Sequence, residues 1–482
     1  MSDSGQEFQS PDPANSRTQT LPMSEFQKSS EMPVSAEQLF DWHCRPGAFE
    51  RLTPPWESVD LISTDGVADG SLARLRMKVG PVHRTWVARH SDIEPGRQFV
   101  DTQISGPFSK WVHTHSMQPN SAGASLLTDY VEYSPPLGFF GRLVAGRFVR
   151  RQLERTFAYR HEVTVKDLAF HTAHLESSPM KIAVGGSTGL VGSALVPFLT
   201  TGGHEVLTLA RANSRSRGTA DSSSVDWNPA EGTIDAASLE GCDAVIHLGG
   251  HNIAHGRWTE GMKRLVKDSR VESTALLART LAGMSNPPKV FVCASAIGFY
   301  GDRGDEVMTE ASPPGPRFIS ELCQAWEDAT APAADAGIRV VNLRIGVVLS
   351  PKGGALKKML LPFKLGAGGV VGSGKQPWSW IALDDLVRTI LHCVQTESLS
   401  GPVNGTAPGV ISNREFTRTL GKVLRRPTIF PMPAFVVKAA FGEMGEELML
   451  AGTRCDSSRL VKSGFEFAYP TLEPALRHLL GR

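Results

Sequence analysis

The chain has 482 residues, several times the commonest domain size, so two or three domains are expected. Hydrophobic residues make up 41% and charged residues 21%, and 50 Lys and Arg stand against 49 Asp and Glu, for a net charge of +1. This is globular composition without a bulk field, and it argues against a partner held mainly through phosphate charge, such as nucleic acid. The six cysteines, Cys44, Cys242, Cys293, Cys323, Cys393 and Cys455, never fall in a C-x-x-C pair. A disulfide framework or a cysteine-built zinc site is therefore not expected, and a reducing cytoplasm fits.

Residues 1–22 have no basic start and no apolar stretch, and their Ser, Pro, Gln and Asn content reads as a disordered tail rather than a signal peptide. The longest uncharged apolar run, residues 290–300, is too short to cross a bilayer. A soluble cytoplasmic protein without a membrane span is expected.

A first domain is read over residues 23–167. Ser35-Ala36-Glu37-Gln38 is a helix start leading into Leu39 and Phe40. Residues 71–79 (SLARLRMKV), 111–117 (WVHTHSM) and 125–133 (SLLTDYVEY) alternate as half-exposed strands. Residues 141–163 form a long amphipathic helix with Val149, Leu153 and Phe157 at i, i+4 spacing. The arginines of that helix (Arg142, Arg147, Arg150, Arg151, Arg155, Arg160) form a phosphate-binding face or a solvated one. With 17 basic and 17 acidic residues over 23–167, the solvated face is preferred. His113 and His115 share a strand face with Trp111. H-x-H is a metal-chelating spacing, but no third ligand stands at a recognisable distance, so cavity-lining or surface histidines and no metal site are expected.

Helix, antiparallel strands and a long closing helix make an α+β unit. With the phrase DWHCRPGAFERLTPPW, this order resembles the START-like, or SRPBCC, helix-grip superfamily. The resemblance implies a curved sheet wrapped around the last helix and an apolar ligand between them.

Residues 168–179 (LAFHTAHLESSP) carry no sustained period and read as a linker. A second domain is read over residues 180–429. The apolar strand Ile182-Ala183-Val184 runs into Gly186-Ser187-Thr188-Gly189-Leu190-Val191-Gly192, then a helix over 190–199 and a strand over 206–209. Gly186 lets the chain turn off the strand, Gly189 lets a diphosphate approach the backbone, and Gly192 lets the helix lie close to the sheet. The helix N-terminus then faces the diphosphate. Placed strand–loop–helix–strand, the loop indicates dinucleotide binding. Pro197 inside the helix should cost a hydrogen bond. After the second strand the chain carries Arg211 where NAD binders usually place an acid, which favours NADP over NAD; a surface loop arginine is the alternative.

Residues 244–248, 290–294 and 340–343 are near-continuous apolar strands separated by helical stretches at 263–282 and 319–334, as in a parallel sheet buried on both faces. The fold class is α/β doubly wound, a Rossmann domain. Its crevice is expected near Leu248, Gly249, Gly250, Ser295 and Arg344.

The texts GGSTGLVG, HLGGHNIAHGRWTEGMKRLVKDSRVEST, SAIGFYGDRGDEV, RIGVVLSPKGGAL, VGSGKQPWSWIALDDLV and GPVNGTAP together resemble the epimerase-family short-chain dehydrogenases of the atypical YfcH type. The tail, residues 430–482, is similar to that family's small C-terminal helical domain. The resemblance implies an NADP-binding fold without an established reaction. Working short-chain dehydrogenases use Tyr-x-x-x-Lys as acid/base pair, yet no lysine stands four residues after any of the five tyrosines, and residues 318–323 read FISELC where the motif belongs.

Ser295 matches the superfamily's active-site serine, to hydrogen-bond a carbonyl, or caps a strand end. Tyr300 is a substitute proton donor or loop packing. Arg257, Trp258, Lys263 and Arg344, with Gln376, Trp378 and Trp380, form a subsite for an anionic or planar substrate or pack domains together. Arg270 stands where extended members carry asparagine, and Ala382 where relatives often carry histidine. Two functions remain open: an NADP-dependent oxidoreductase or epimerase on a small organic substrate, and a non-catalytic NADP-binding regulator with a ligand-sensing START-like module. The sequence leaves the oligomeric state open.

Overall fold

The structure is a computed structural model that describes residues 23–80, 82–120, 123–135, 138–173, 179–210, 224–254 and 256–482. The N-terminal half is a seven-stranded antiparallel sheet. Ser24–Met32 pairs with Ser125–Ser134, and from there Lys110–Pro119, Gln98–Ser105, Val82–Glu94, Leu72–Val79 and Val59–Thr64 follow in reverse chain order. Alternation sets the faces: His113, His115 and Met117 are buried on one side of Lys110–Pro119, as are Leu127, Asp129, Val131 and Tyr133 on Ser125–Ser134. Two short helices, Ala36–Cys44 and Ala48–Leu52, and the long helix Gly138–Ala173 cover that buried face.

The Ser35 start holds as a capping box, with its side chain accepting from the Gln38 backbone and the Gln38 side chain accepting from the Ser35 backbone. Leu153 and Phe157 of the long helix are buried, and Phe157 meets Phe26 with ring centroids 5.2 Å apart. The arginine face divides: Arg147, Arg150 and Arg151 are exposed, whereas Arg155 donates to the carbonyls of Gly481 and Leu480 and Arg160 to that of Leu52.

The long helix runs on to Ala173, past the boundary expected at residue 167. Its last turns are not a linker because they have a partner: Leu168 is buried, Phe170 lies 5.8 Å from Phe198, and His171 stacks on Phe198 at 4.5 Å.

The second half is an eight-stranded sheet in the order Thr233–Ile234, Ser224–Asn228, Glu205–Ala210, Lys181–Gly185, Ala244–His247, Val290–Ala296, Arg339–Ile345, Gly401–Gly405. All neighbours run parallel except the first pair. The chain enters at Lys181–Gly185, winds to one side, and returns to Ala244–His247 on the other, which puts the switch point of a doubly wound sheet between those two strands. Ile182, Val184, Ile246 and Val292 are buried against Leu195 and Phe198 on one face, and Ala183, Val245 and Phe291 against Leu277 and Leu281 on the other. The helical run expected over 319–334 is broken into Phe318–Asp328 and Ala331–Asp335, with Pro332 in the first turn of the second.

Helix Gly192–Thr201 continues through Pro197, and the proline has a reason to be there. A Cβ on Gly47, which sits at φ +90°, would stand 2.6 Å from Pro197 Cα, so the proline face is where the two halves close on each other. Beside it, Thr200 Oγ1 donates to the Pro46 carbonyl at 2.5 Å. The C-terminal region ends in helix Leu472–Leu480, whose Leu472, Ala475, Leu476 and Leu479 bury against Phe416, Leu420 and Val423 of helix Asn413–Leu424. Among the described residues, no helix is long and apolar enough to cross a membrane.

Candidate functional site

The glycine loop leaves the end of Lys181–Gly185 with Gly186 at φ +81°. A Cβ there would stand 2.8 Å from Gly249 N and from the Leu248 carbonyl carbon. A Cβ on Gly192 would strike the Gly186 carbonyl oxygen and stand 2.7 Å from Ser187 Cα. Side chains are therefore excluded at both positions, and the loop lies flat between strand and helix start. Thr188 and Gly189 are exposed at its crest, while Gly189 N bonds to Gly186 O at 3.0 Å and Leu195 N to Val191 O at 2.8 Å. Leu190 turns away to meet Gly353. This is a backbone-lined cradle at a helix N-terminus, and it fits a dinucleotide diphosphate.

The opposite wall is Leu248-Gly249-Gly250. Leu248 N bonds to Gly185 O at 2.9 Å, a Cβ on Gly249 would stand 2.7 Å from the His247 ring, and one on Gly250 2.9 Å from the Arg270 guanidinium carbon. His247 is fully buried, bonded to Ser273 Oγ at 3.0 Å, and burial together with Arg270 pushes its pKa down to about 4. Arg270 itself donates to the His251 carbonyl and lies over Trp326 at 5.0 Å. The arginine that departs from the usual asparagine thus props up this wall. Arg211 lies outside the described residues.

Ser295 stands near the end of Val290–Ala296, along the same edge of the sheet. Its Oγ donates to Glu327 Oε1 at 2.6 Å. Glu327, on helix Phe318–Asp328, also accepts from Arg344 Nε and Nη2, each at 2.8 Å. Arg344 Nη1 donates to the Tyr300 hydroxyl at 3.0 Å, and that hydroxyl donates to Asn404 Oδ1 at 2.7 Å. Arg344 lies 3.5 Å over the Phe299 ring. Burial pushes the Tyr300 hydroxyl up to about 12.

The structure thus joins Ser295, Tyr300 and Arg344 in one hydrogen-bonded chain, linked by Glu327 and ended by Asn404, two residues that the sequence reading did not single out. Glu327 ends the Trp-Glu pair of its helix, and Asn404 follows the Val403 of GPVNGTAP. Only their charge and polarity inside apolar text pointed to them. On the same helix, Phe318 and Leu322 occupy an i, i+4 pair where a Tyr and Lys would serve as acid and base.

The other proposed substrate residues meet Phe318 or the C-terminal region. Arg257 donates to the Ala439 and Ala440 carbonyls, closing the end of helix Ala434–Phe441. Trp258 Nε1 donates to Ile253 O at 2.9 Å, and its ring meets Phe318 edge-on at 5.2 Å. Lys263 pairs with Glu443 at 2.6 Å and lies over Phe318. Arg257 and Lys263 fasten the C-terminal region to the α/β domain, and Trp258 packs on Phe318 within that domain. Gln376, Trp378 and Trp380 are buried: Gln376 donates to the Val371 and Met449 carbonyls, Trp378 meets Phe416, and Trp380 Nε1 donates to Gly409 O at 2.8 Å.

A second buried network crosses between the halves. Asp167 of the long helix accepts from Arg51 at 2.8 and 3.0 Å and from Arg388 at 2.9 Å. Asp384 takes Arg51 at 3.0 Å and His478 at 3.1 Å, and His478 also reaches Glu162 at 3.2 Å. Asp385 accepts the backbone N–H groups of Ala468 and Tyr469. The acidic pair of WIALDDLV therefore ties three parts of the chain together.

The comparisons with known proteins agree with this architecture. Residues 182–404 match the model of the NAD dependent epimerase/dehydratase family. An epimerase family protein of Mycobacterium bovis is 41% identical over 301 residues, covering 62% of this chain and 98% of its own. The chain belongs to the epimerase family. Human SDR39U1, an epimerase family protein, is 36% identical across 62% of this chain and all of its own length; its crystal structure with NADPH superposes with a TM-score of 0.57. Residues 432–479 match a domain of unknown function, and residues 32–158 match the polyketide cyclase/dehydrase and lipid transport family. The whole fusion has a solved counterpart. A Corynebacterium glutamicum structure described as a nucleoside-diphosphate sugar epimerase is 33% identical, covers 95% of this chain and 90% of its own, and superposes with a TM-score of 0.77.

Proposed function

We propose that this epimerase-family protein is an NADP(H)-dependent oxidoreductase acting on a small carbonyl-bearing substrate, with Ser295 as the residue that meets the carbonyl oxygen. The observation that carries the reading is the glycine cradle and the Ser295–Glu327–Arg344 chain standing along one edge of the same sheet. In this reading Gly186, Ser187, Thr188, Gly189, Leu190, Val191 and Gly192 hold the diphosphate, and Leu248, Gly249 and Gly250 line the ribose side. Arg211 faces the 2′-phosphate, which is supported by the NADPH held in the human relative's structure. The bound nucleotide supplies or accepts the hydride. Ser295 gives its Oγ–H to the carbonyl oxygen in place of Glu327, Arg344 holds Glu327 in position as the resting acceptor, and a water held by Ser295 supplies the proton that the oxygen takes up as hydride reaches the carbon. Tyr300 acts at the far end of this chain rather than as the first proton donor, because its own proton is given to Asn404. Arg257 and Lys263 shape the substrate side by fixing the C-terminal region, and Trp258 by packing on Phe318.

A second reading, a non-catalytic NADP-binding regulator, is favoured by Phe318 and Leu322 in place of an acid/base pair. Calorimetric titration with NADPH, NADP⁺, NADH and NAD⁺, followed by turnover of a carbonyl panel, separates the two. Tight NADP(H) binding, weakened in Arg211→Ala, together with turnover that falls at least tenfold in Ser295→Ala at unchanged nucleotide affinity, is expected for the oxidoreductase, since the lost contact is made with the reacting oxygen. Binding with no carbonyl turned over overturns it in favour of the regulator.

A further inference from the structure

The inner face of the N-terminal sheet carries a cluster that the dinucleotide crevice does not use. His113 and His115 come from Lys110–Pro119, His90 from Val82–Glu94, Asp101 from Gln98–Ser105 and Asp129 from Ser125–Ser134. His161 reaches in from the long helix and His43 from Ala36–Cys44. All are buried except Asp101, whose side chain is 24% exposed at the rim.

Asp129 is the hub. Its Oδ1 lies 2.9 Å from His113 Nε2 and 2.8 Å from His115 Nδ1, and its Oδ2 lies 2.7 Å from His161 Nε2. Asp101 Oδ2 lies 3.3 Å from His115 Nε2, and its Oδ1 lies 3.1 Å from His90 Nε2. Every ion-pair partner of these two carboxylates among the described residues is a histidine. Among the described residues, no lysine or arginine forms an ion pair with either.

Two features of the cluster point to a cation. The first is charge: two carboxylates withdrawn from water need two positive charges. Imidazoles answer this only by taking protons, which crowds like charges together. The His113 and His115 rings already stand with centroids 3.9 Å apart. The second is unmet bonding. Among the described residues, His115 Nδ1, His161 Nδ1 and Asp101 Oδ1 are buried with no aligned hydrogen-bond partner: the 2.8 Å approach of His115 Nδ1 to Asp129 and the 3.1 Å approach of His90 Nε2 to Asp101 Oδ1 lack the geometry of a hydrogen bond. Native interiors rarely leave several such atoms in one place.

The donor set is also right. One ligand atom from each of Asp101, His113 and His115 lies within 4.8 Å of the others. Donors bonded at about 2.1 Å to one tetrahedral ion stand about 3.4 Å apart, close to the His115–Asp101 separation. With imidazole and carboxylate and no thiolate, the set suits a divalent first-row metal such as zinc or iron(II). Behind the ligands, Asp129 does for His113 what outer carboxylates do in metal sites: it accepts from Nε2 and leaves Nδ1 as a ligand.

We propose that His113, His115 and Asp101 bind a divalent transition-metal ion on the inner face of the N-terminal domain, held from behind by Asp129. Three protein ligands leave a coordination position open. That position takes water or an oxygen of a carbonyl or carboxylate ligand. The helix-grip resemblance implied an apolar ligand here; with the metal, that ligand carries an oxygen donor at one end.

The test uses untagged full-length protein, stripped with a chelator and then equilibrated with Co²⁺ or Zn²⁺. Retention of about one equivalent through desalting, a visible Co²⁺ absorption band bleached by Zn²⁺, and a metal-dependent rise in Tm are expected. His113→Gln, His115→Gln and Asp101→Asn should each weaken retention at least tenfold, while His83→Gln, an exposed histidine on a sheet strand, should not. Asp101→Asn, at the rim, is the variant least able to disturb folding, and far-UV circular dichroism checks it. Failure of the wild type to retain metal, or retention unchanged in the folded Asp101→Asn protein, overturns the proposal. NADPH affinity is expected to stay the same throughout, so this outcome is independent of the crevice reading.

Discussion

The cradle of the α/β half is built from two short stretches of chain, residues 185–192 and 247–250, which adjacent parallel strands deliver side by side. The cluster of the N-terminal half is built from single residues spread from His43 to His161, each on a different element or two apart on one strand. In the first, function depends on missing side chains: glycines let backbone approach backbone. In the second it depends on side chains meeting across an antiparallel sheet. Local chemistry leaves a motif in the sequence, whereas assembled chemistry leaves only scattered His and Asp. Between the two lies the seam of Arg51, Asp167, Asp384 and Arg388, which is assembled in the same manner as the cluster but serves to join.

The seam offers the largest way to break this comparison. Asp167 is fully buried and faces Arg51 and Arg388 together. Asp167→Ala leaves both guanidiniums without their shared carboxylate, a loss of about 3–5 kcal/mol. Urea unfolding followed by separate probes in each half should split from one transition into two. A single transition at an unshifted midpoint would show that the halves are held by something else.

Next in size is a pH effect confined to the α/β half. Unfolded, His247 takes up a proton as pH falls through its ordinary value of 6.5; folded, burial and Arg270 keep it neutral down to about 4. Across that window the unfolded chain binds more protons, so stability is complete above pH 6.5 and declines by up to about 3 kcal/mol toward pH 4. His247→Gln should flatten the corresponding slope of stability against pH, read from denaturation midpoints. The cradle comes third. In Gly192→Ala the new methyl meets the Gly186 carbonyl oxygen and must displace the loop. NADPH affinity should fall at least tenfold, about 1.4 kcal/mol, together with a fall in Tm, because the obstacle is backbone.

What could be seen in the sequence follows the same division. The strand–glycine–helix unit, the apolar parallel strands and the Ser35 cap are all visible, because each depends on residues within a few positions of one another. The extension of the long helix to Ala173 was hidden, since the period of LAFHTA is weak and its partner, Phe198, lies on another element. Glu327 was hidden because nothing in FISELCQAWED says that its last carboxylate will meet Ser295 and Arg344 from two neighbouring strands. Asp101 was hidden as the companion of His113 and His115 for the same reason: it is their neighbour by sheet register, with Asp101 opposite His113, and not by spacing.

Thr200 gives the smallest effect, and it tests the one place where a local oddity and an assembled contact coincide. Pro197 looks like a fault in its helix until the other half is placed against it. There the glycine at position 47 removes the side chain that would collide, and Thr200 Oγ1 reaches the Pro46 carbonyl. Thr200→Val keeps the shape and removes that hydroxyl, leaving the carbonyl to solvent at the edge of the contact. A loss of about 1 kcal/mol is expected, seen as a small fall in Tm. Combined with Asp167→Ala, it should cost less than the two losses added, because once the seam has opened the hydroxyl has nothing left to hold. Strict additivity would instead mean that the Pro197 face and the charged seam close independently.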